Sequence, residues 1–160
     1  MMESSPLARP GQRQGGAMAW ALTLALVLGG GVYASGHGSP SQEQVDPAVR
    51  QVVESQLQAF AADDAGKAFA LTDPALRTRF GGDAETFLAT VRSQYPMVLR
   101  PASVLFLKPA SDGTIALQKV RITDTEGSNW VLTYLLNRQQ DHQWRIAGTI
   151  IEPEGAQVIA

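Results

Sequence analysis

The stretch Tyr95-Pro96-Met97-Val98-Leu99-Arg100-Pro101-Ala102-Ser103-Val104-Leu105-Phe106-Leu107-Lys108 decides the fold, because the spacing of apolar residues changes inside it. Before Tyr95 they recur every three or four positions, which is one face of a helix. After Pro101 the helical spacing ends and strand candidates with a period of two follow. Pro96 stops the last helix, since proline lacks the N–H that a continuing turn requires. The chain therefore reads as a helical half followed by a strand half.

Working back from Tyr95, Asp83 predicts the cap of a helix that turns Leu88, Val91 and Tyr95 inward. Leu76 and Phe80 form a shorter turn, entered at Asp73-Pro74 and ended by Gly81-Gly82. Asp63-Asp64 predicts the cap of another short helix through Ala68, Phe69 and Leu71. The first helix is expected to start at Asp46-Pro47, an acidic cap with proline behind it, and to carry Val49, Val52, Val53, Leu57 and Phe60 on one stripe.

Working forward, four strands are expected at Ala102–Lys108, Thr114–Thr123, Asn129–Arg138 and Gln143–Glu152. They are separated by Pro109 with Asp112-Gly113, by Glu126-Gly127 and by Gln139-Gln140-Asp141-His142. Connections this short cannot hold crossover helices, so the strands must be antiparallel and sequential. The expected class is α+β, with N-terminal helices packed on a curved four-stranded meander. Alternation places Ala116, Gln118, Val120 and Ile122 on one face and Lys119 and Arg121 on the other. In the last strand it sets Trp144, Ile146, Gly148 and Ile150 against Arg145 and Thr149. The third strand is apolar on both sides, which leaves its facing open. Gly148 predicts a bulge or bend, and a bent sheet wrapped on helices makes a cone.

Residues 1–34 read as an address. Arg9 and Arg13 precede Gly15-Gly16 and an uncharged run from Ala17 to Leu28. That run fits the ~7–15 residues of a signal-peptide core and falls short of the ~20 that span a bilayer. Gly29-Gly30-Gly31 breaks it, and Val32-Tyr33-Ala34 offers small residues for cleavage before Ser35. No Arg-Arg pair marks a twin-arginine signal. The expectation is a cleaved signal peptide and a periplasmic or extracellular product. The alternative is an uncleaved single-pass anchor over Ala17–Ala34, which would be the chain's one contact with a membrane and still place the C-terminal domain outside the cytoplasm. Residues 35–45, small and polar, read as a flexible linker, and residues 46–155 as a single domain.

Composition narrows the chemistry. The chain has 160 residues, 44% of them hydrophobic, a net charge of −2 and no cysteine. It has no disulfide, no thiolate metal site, no cysteine nucleophile and no lipidated cysteine. A pI near 5.6 lacks the footprint of a nucleic-acid binder. Acids of the strand half (Asp112, Asp124, Glu126, Asp141, Glu152) fall in turns or at strand ends, and the two histidines, His37 and His142, fall in the linker and a hairpin loop. No residues at metal-ligand spacing, no phosphate loop and no nucleophile elbow occur, so no metal, cofactor or catalytic residue is expected.

Four residues are candidates for ligand binding: Gln118, Tyr134, Trp144 and Arg100. Gln118 turns an amide toward the apolar side, and Tyr134 and Trp144 bring one donor each to the inward faces of the next strands. One reading is a core network with Gln118 bonded to the Tyr134 hydroxyl or to backbone. The other is the wall of a cone mouth that takes a small ligand. Arg100 either closes that mouth and attracts an anion, or pairs with Asp63 or Asp64. Trp130 is either a core aromatic or an exposed contact.

Several stretches resemble an uncharacterised bacterial family, the one catalogued as domain of unknown function 4864. They are Gln56-Leu57-Gln58-Ala59-Phe60-Ala61-Ala62-Asp63-Asp64, Ala68-Phe69-Ala70-Leu71-Thr72-Asp73-Pro74, Tyr95 to Pro101, Gln118-Lys119-Val120 and Trp144-Arg145-Ile146-Ala147-Gly148. The resemblance covers about residues 48–155 and implies a nuclear transport factor 2-like, or cystatin-like, cone. The expectation is a non-catalytic domain that binds a small molecule or a protein. The alternatives are an assembly module or, less favoured, an isomerase- or dehydratase-like enzyme, as some cone-shaped proteins of this superfamily are. The resemblance itself implies no activity and carries no residue roles. Thr149 departs from it at a position where cysteine is expected in many relatives, so a thiol-based role is not general. Open sheets of this superfamily frequently pair across their outer faces, which makes Leu117, Val131, Leu135 and Ile151 candidates for a homo-dimer contact.

Overall fold

Each helix of this protein starts or stops at a short acidic or glycine signal, and the sheet begins only after the last helix has ended. The computed structural model describes residues 42–155. The predicted signal peptide or anchor over 1–34, and the predicted linker up to residue 41, lie outside the described residues. Among the described residues no helix is long and apolar enough to cross a membrane.

Helix α1 spans Gln42–Ala61. It starts before the expected cap at Asp46, so the last part of the predicted linker is helical and Pro47 lies inside the helix. Gln, Glu and Gln at positions 42–44 are good helix formers, and a proline this close to the N-terminus removes few intrahelical bonds. The helix ends in a Schellman motif: the Asp64 N–H donates to the Ala59 carbonyl at 2.9 Å and the Asp63 N–H to the Phe60 carbonyl at 3.1 Å. Helices α2 (Ala65–Ala70), α3 (Pro74–Arg79) and α4 (Ala84–Gln94) carry the side-chain caps expected of Asp64, Asp73 and Asp83. Gly81 and Gly82 follow α3 at φ of 63° and 74°, where a side chain would be strained.

The sheet contains β1 (Ser103–Phe106), β2 (Ala110–Ser111), β3 (Ile115–Thr123), β4 (Asn129–Arg138) and β5 (Trp144–Pro153). Every pairing is antiparallel, with β1, β3, β4 and β5 in that order and β2 also on β3. The expected first strand is thus shortened to Ser103–Phe106, and β2 adds a second short edge segment beyond Pro109, where a turn was expected. Pro109 cannot donate to a ladder, and the chain leaves the sheet around it.

The bend falls one residue before Gly148. Leu135 pairs with Gly148 but Leu136 pairs with Ile146, which leaves Ala147 as an extra residue in β5. A single extra residue reverses the facing of everything after it. Trp144 and Ile146 turn to the helices as expected, but Thr149 and Ile151 then take that side and Ile150 turns outward, 59% exposed. The expected grouping of Ile150 with Trp144, and of Ile151 with the outer face, is corrected accordingly. The open facing of β4 is settled: Leu132, Tyr134 and Leu136 are buried toward the helices.

The core lies between α1, α4 and the concave side of the sheet. Val49, Val53 and Phe60 meet Val120, Ile122, Leu132 and Ile146. Phe87 of α4 is ringed by Phe60, Phe69 and Phe80 at 6.0, 5.5 and 5.1 Å between ring centroids. The Leu71–Asp73 segment hooks onto β5: the Ile146 N–H donates to the Leu71 carbonyl at 2.9 Å and the Asp73 N–H to the Ile146 carbonyl at 2.8 Å.

The bulge makes two isoleucines of one strand energetically unlike. Ile146→Ala is expected to cost about 2–5 kcal/mol in urea unfolding, and Ile150→Ala less than about 0.5. Equal losses would contradict the reversed facing.

Candidate functional site

Gln118 is fully buried at mid-strand in β3. Its Nε2 donates to the Leu107 carbonyl at 2.6 Å and to the Lys119 carbonyl at 2.9 Å, while Oε1 has no partner. Two carbonyls on one side fix the amide's orientation, because the flipped amide would set oxygen against oxygen. The partner is therefore backbone, not the Tyr134 hydroxyl. The amide fills the place where the edge strand breaks and satisfies a carbonyl that no neighbouring strand reaches. Tyr134 lies opposite Gln118 and is 2% exposed, and burial pushes its phenol well above the ordinary value. Trp144 is 4% exposed. These three expected site residues are core, and none lines the hollow described next.

Arg100 lies elsewhere. It follows a 3-10 turn over Pro96–Val98 and reaches back to the end of α1. Its Nε donates to the Ala61 carbonyl at 3.2 Å and its Nη2 to Asp63 Oδ2 at 2.8 Å, while Arg92 of α4 takes Asp63 Oδ1 at 2.9 Å. The partner is thus Asp63; Asp64 is occupied in capping α2. Asp63 sits at φ 54°, the left-handed C′ position usually given to glycine. The Arg92 guanidinium, and then Arg100, hold its carboxyl below the usual 3.8. The pairs are well exposed, so each adds little stability, but together they join α1, α4 and the approach to β1.

Arg100 also forms one wall of a hollow of about 290 Å³, with Pro96 and Met97 beside it. The facing wall is the β3–β4 turn, with Asp124, Glu126 and Trp130. Asp124 organises this turn. Its Oδ1 accepts the Ser128 N–H at 2.8 Å and the Glu126 N–H at 3.0 Å, and its Oδ2 accepts the Trp130 indole N–H at 2.9 Å. The indole bond, then these backbone donors, hold its carboxyl below 3.8. Trp130 is thus half-buried with its ring pinned, neither plain core nor loose contact. Sequence reasoning missed Met97, Asp124 and Glu126 as neighbours of Arg100. The signal available was the Asp124 to Ser128 turn next to a tryptophan.

Of the other acid–base groups, Asp73 has a structural duty. Asp73 is buried, its Oδ1 accepting the Leu76 N–H at 2.7 Å and its Oδ2 the Asn137 amide at 3.3 Å. Asp141 and His142 lie exposed in the β4–β5 turn, with His142 at φ 63°. Among the described residues, no three His, Asp or Glu gather as metal ligands. The hollow can hold a small molecule between a guanidinium, an indole and a carboxylate, and it sits in shallow contact with solvent.

On the convex side, Leu117 pairs with Leu135, and Leu135 with Gly148. Leu105, Ile115, Leu117 and Ile150 stand exposed on this side at 55%, 45%, 44% and 59%. Arg121 and Glu154 form an ion pair of 2.9 Å on this part of the sheet.

The family model described as Domain of unknown function (DUF4864) matches residues 42–158. No curated protein matches the chain. A solved NTF-2-like protein of unknown function from Silicibacter pomeroyi DSS-3 superposes with a TM-score of 0.51 at 16% identity, covering 72% of this chain and 99% of that one. An NTF-2-like protein of unknown function from Burkholderia xenovorans LB400 gives 0.43 at 13% identity, over 67% and 83%. The first likeness places the fold among nuclear transport factor 2-like domains.

Gln118→Ala strands the Leu107 carbonyl and is expected to cost about 1–3 kcal/mol in chemical unfolding. A loss below about 0.5 kcal/mol would show that the amide does not hold the broken edge.

Proposed function

The chain belongs to the family of domain of unknown function 4864, and we propose that it is an exported, non-catalytic binding domain that receives a small molecule in the hollow between Arg100 and Trp130. The observation carrying this reading is where the space lies. Gln118, Tyr134 and Trp144, expected at the wall of the cone, are themselves buried in the protein core. The hollow at its rim combines an apolar floor, Met97 and Trp130, with a few polar groups that converge on it. Small-ligand sites have this mixture.

Acid–base catalysis calls for a group poised near the working pH. Asp63 and Asp124 are instead held low by cations and N–H donors, Asp73 is spent on capping, and His142 lies in an exposed turn. Export is supported by the uncharged run from Ala17 to Leu28 and the small residues before Ser35.

A fragment screen followed by NMR tests the site. Fragments that bind are expected to move the Trp130 indole signal and leave that of Trp144 in place, with Trp130→Ala weakening them about tenfold or more. Hits that move Trp144 and Tyr134 instead would overturn the reading.

A second reading, self-association, is favoured by the exposed Ile115, Leu117 and Ile150 on the convex face. A two-fold axis would set the Leu117–Leu135 centre of one copy on that of another. Sedimentation of the protein is expected to show a dimer that Leu117→Lys abolishes, because a charge at the centre would be buried without a partner. A monomer at high micromolar concentration would rule this reading out.

A further inference from the structure

The two walls of the hollow carry opposite charges that do not neutralise each other. Arg100 stands on the side of the 3-10 turn and Glu126 on the hairpin side. Arg100 spends Nε and Nη2 on Ala61 and Asp63, and its Nη1 makes no hydrogen bond among the described residues. Asp63 is shared between two guanidinium groups, so it compensates Arg100 only in part. Glu126 is exposed and forms no ion pair among the described residues. Asp124, the other carboxylate in the wall, has its oxygens taken by three N–H donors.

This pattern selects against singly charged ligands. A plain anion drawn to Arg100 would meet Glu126 and Asp124, and a plain cation drawn to Glu126 would meet Arg100. A molecule with both charges satisfies both walls, and its apolar part covers Met97 and the Trp130 ring. Resting on the reading of this hollow as the binding site, we propose that its ligand is a zwitterion with an apolar side chain, in the class of the free α-amino acids: carboxylate on Arg100, ammonium toward Glu126. A hollow of about 290 Å³ suits such a molecule better than a long peptide.

The test is an NMR titration of the full protein, reading the Trp130 indole signal, with four probes: L-leucine, N-acetyl-leucine, leucinamide and leucyl-leucine. Leucine is expected to give a saturable shift, and the two singly charged forms to bind about tenfold or more weaker, as expected for losing one charge-assisted hydrogen bond. Glu126→Gln is expected to erase the preference over N-acetyl-leucine, and Arg100→Gln the preference over leucinamide. Leucyl-leucine binding more tightly than leucine would overturn the free amino acid in favour of a peptide. N-acetyl-leucine or leucinamide matching leucine would overturn the zwitterion and leave the hollow standing as a site. No shift from any probe would overturn the ligand class, while the fragment screen decides the site separately.

Discussion

The backbone of Ile146 bonds to both flanks of Thr72, and much of the molecule follows from that contact. An exposed sheet edge leaves N–H and C=O groups in need of partners. Here the Leu71–Asp73 segment supplies them through a parallel bridge, and the helical layer is fixed to the sheet at one point of β5. Thr72 is fully buried, its hydroxyl donating to the Phe69 carbonyl and its own carbonyl accepting from Arg77 Nε at 2.9 Å. Asp73, the next residue, caps α3 and reaches Asn137. One residue beyond Ile146 comes the bulge, so the tethered half of β5 is covered by helices. In the free half Ile150 turns to the convex side, and Thr149 on the concave side is left uncovered. The concave surface is closed at one end and left open at the other.

The open end is held by charge. Asp63 occupies a backbone conformation that glycine adopts at less cost, by an amount on the order of 1 kcal/mol. Its carboxylate gives something glycine lacks, a shared anchor for Arg92 and Arg100. Asp63 and Asp124 both have carboxyls depressed in the folded state. Their contribution is therefore complete above the ordinary carboxylate range and disappears as pH falls through the lowered values. The ion pairs and turn bonds at the rim are therefore in place at neutral pH and are lost only below the ordinary carboxylate range.

Local signals were legible in the sequence, and relations between distant residues were not. Asp64, Asp73 and Asp83 cap their helices because a cap needs only the next turn. The strands of the meander followed from alternation, and the α+β class from the change of period at Pro96–Pro101. Asp46-Pro47 misled because the helix continues N-terminal to it, over residues that carry no breaker. Gly148 marked the bend one residue late, and that single step reversed Ile150 and Ile151. Gln118 was rightly singled out as a buried amide, yet its partner depended on where Pro109 breaks an adjacent strand. Arg100 had Asp63 among its possible partners. Its place opposite Trp130 came from the docking of a hairpin turn against the end of a helix, more than twenty positions along the chain.

The break in the first edge strand has a consequence for life in a crowded compartment. With β1 only Ser103–Phe106, β2 only Ala110–Ser111 and Pro109 between them, the edge offers no long ladder for a foreign strand to extend. Leu107, between the two strands, is bonded inward, its N–H to the Lys119 carbonyl and its carbonyl to the Gln118 amide. Val104 and Leu105 are apolar and exposed there, so an uninterrupted strand would be a template for amyloid-like stacking. The interruption leaves that apolar border with fewer aligned partners for a foreign strand.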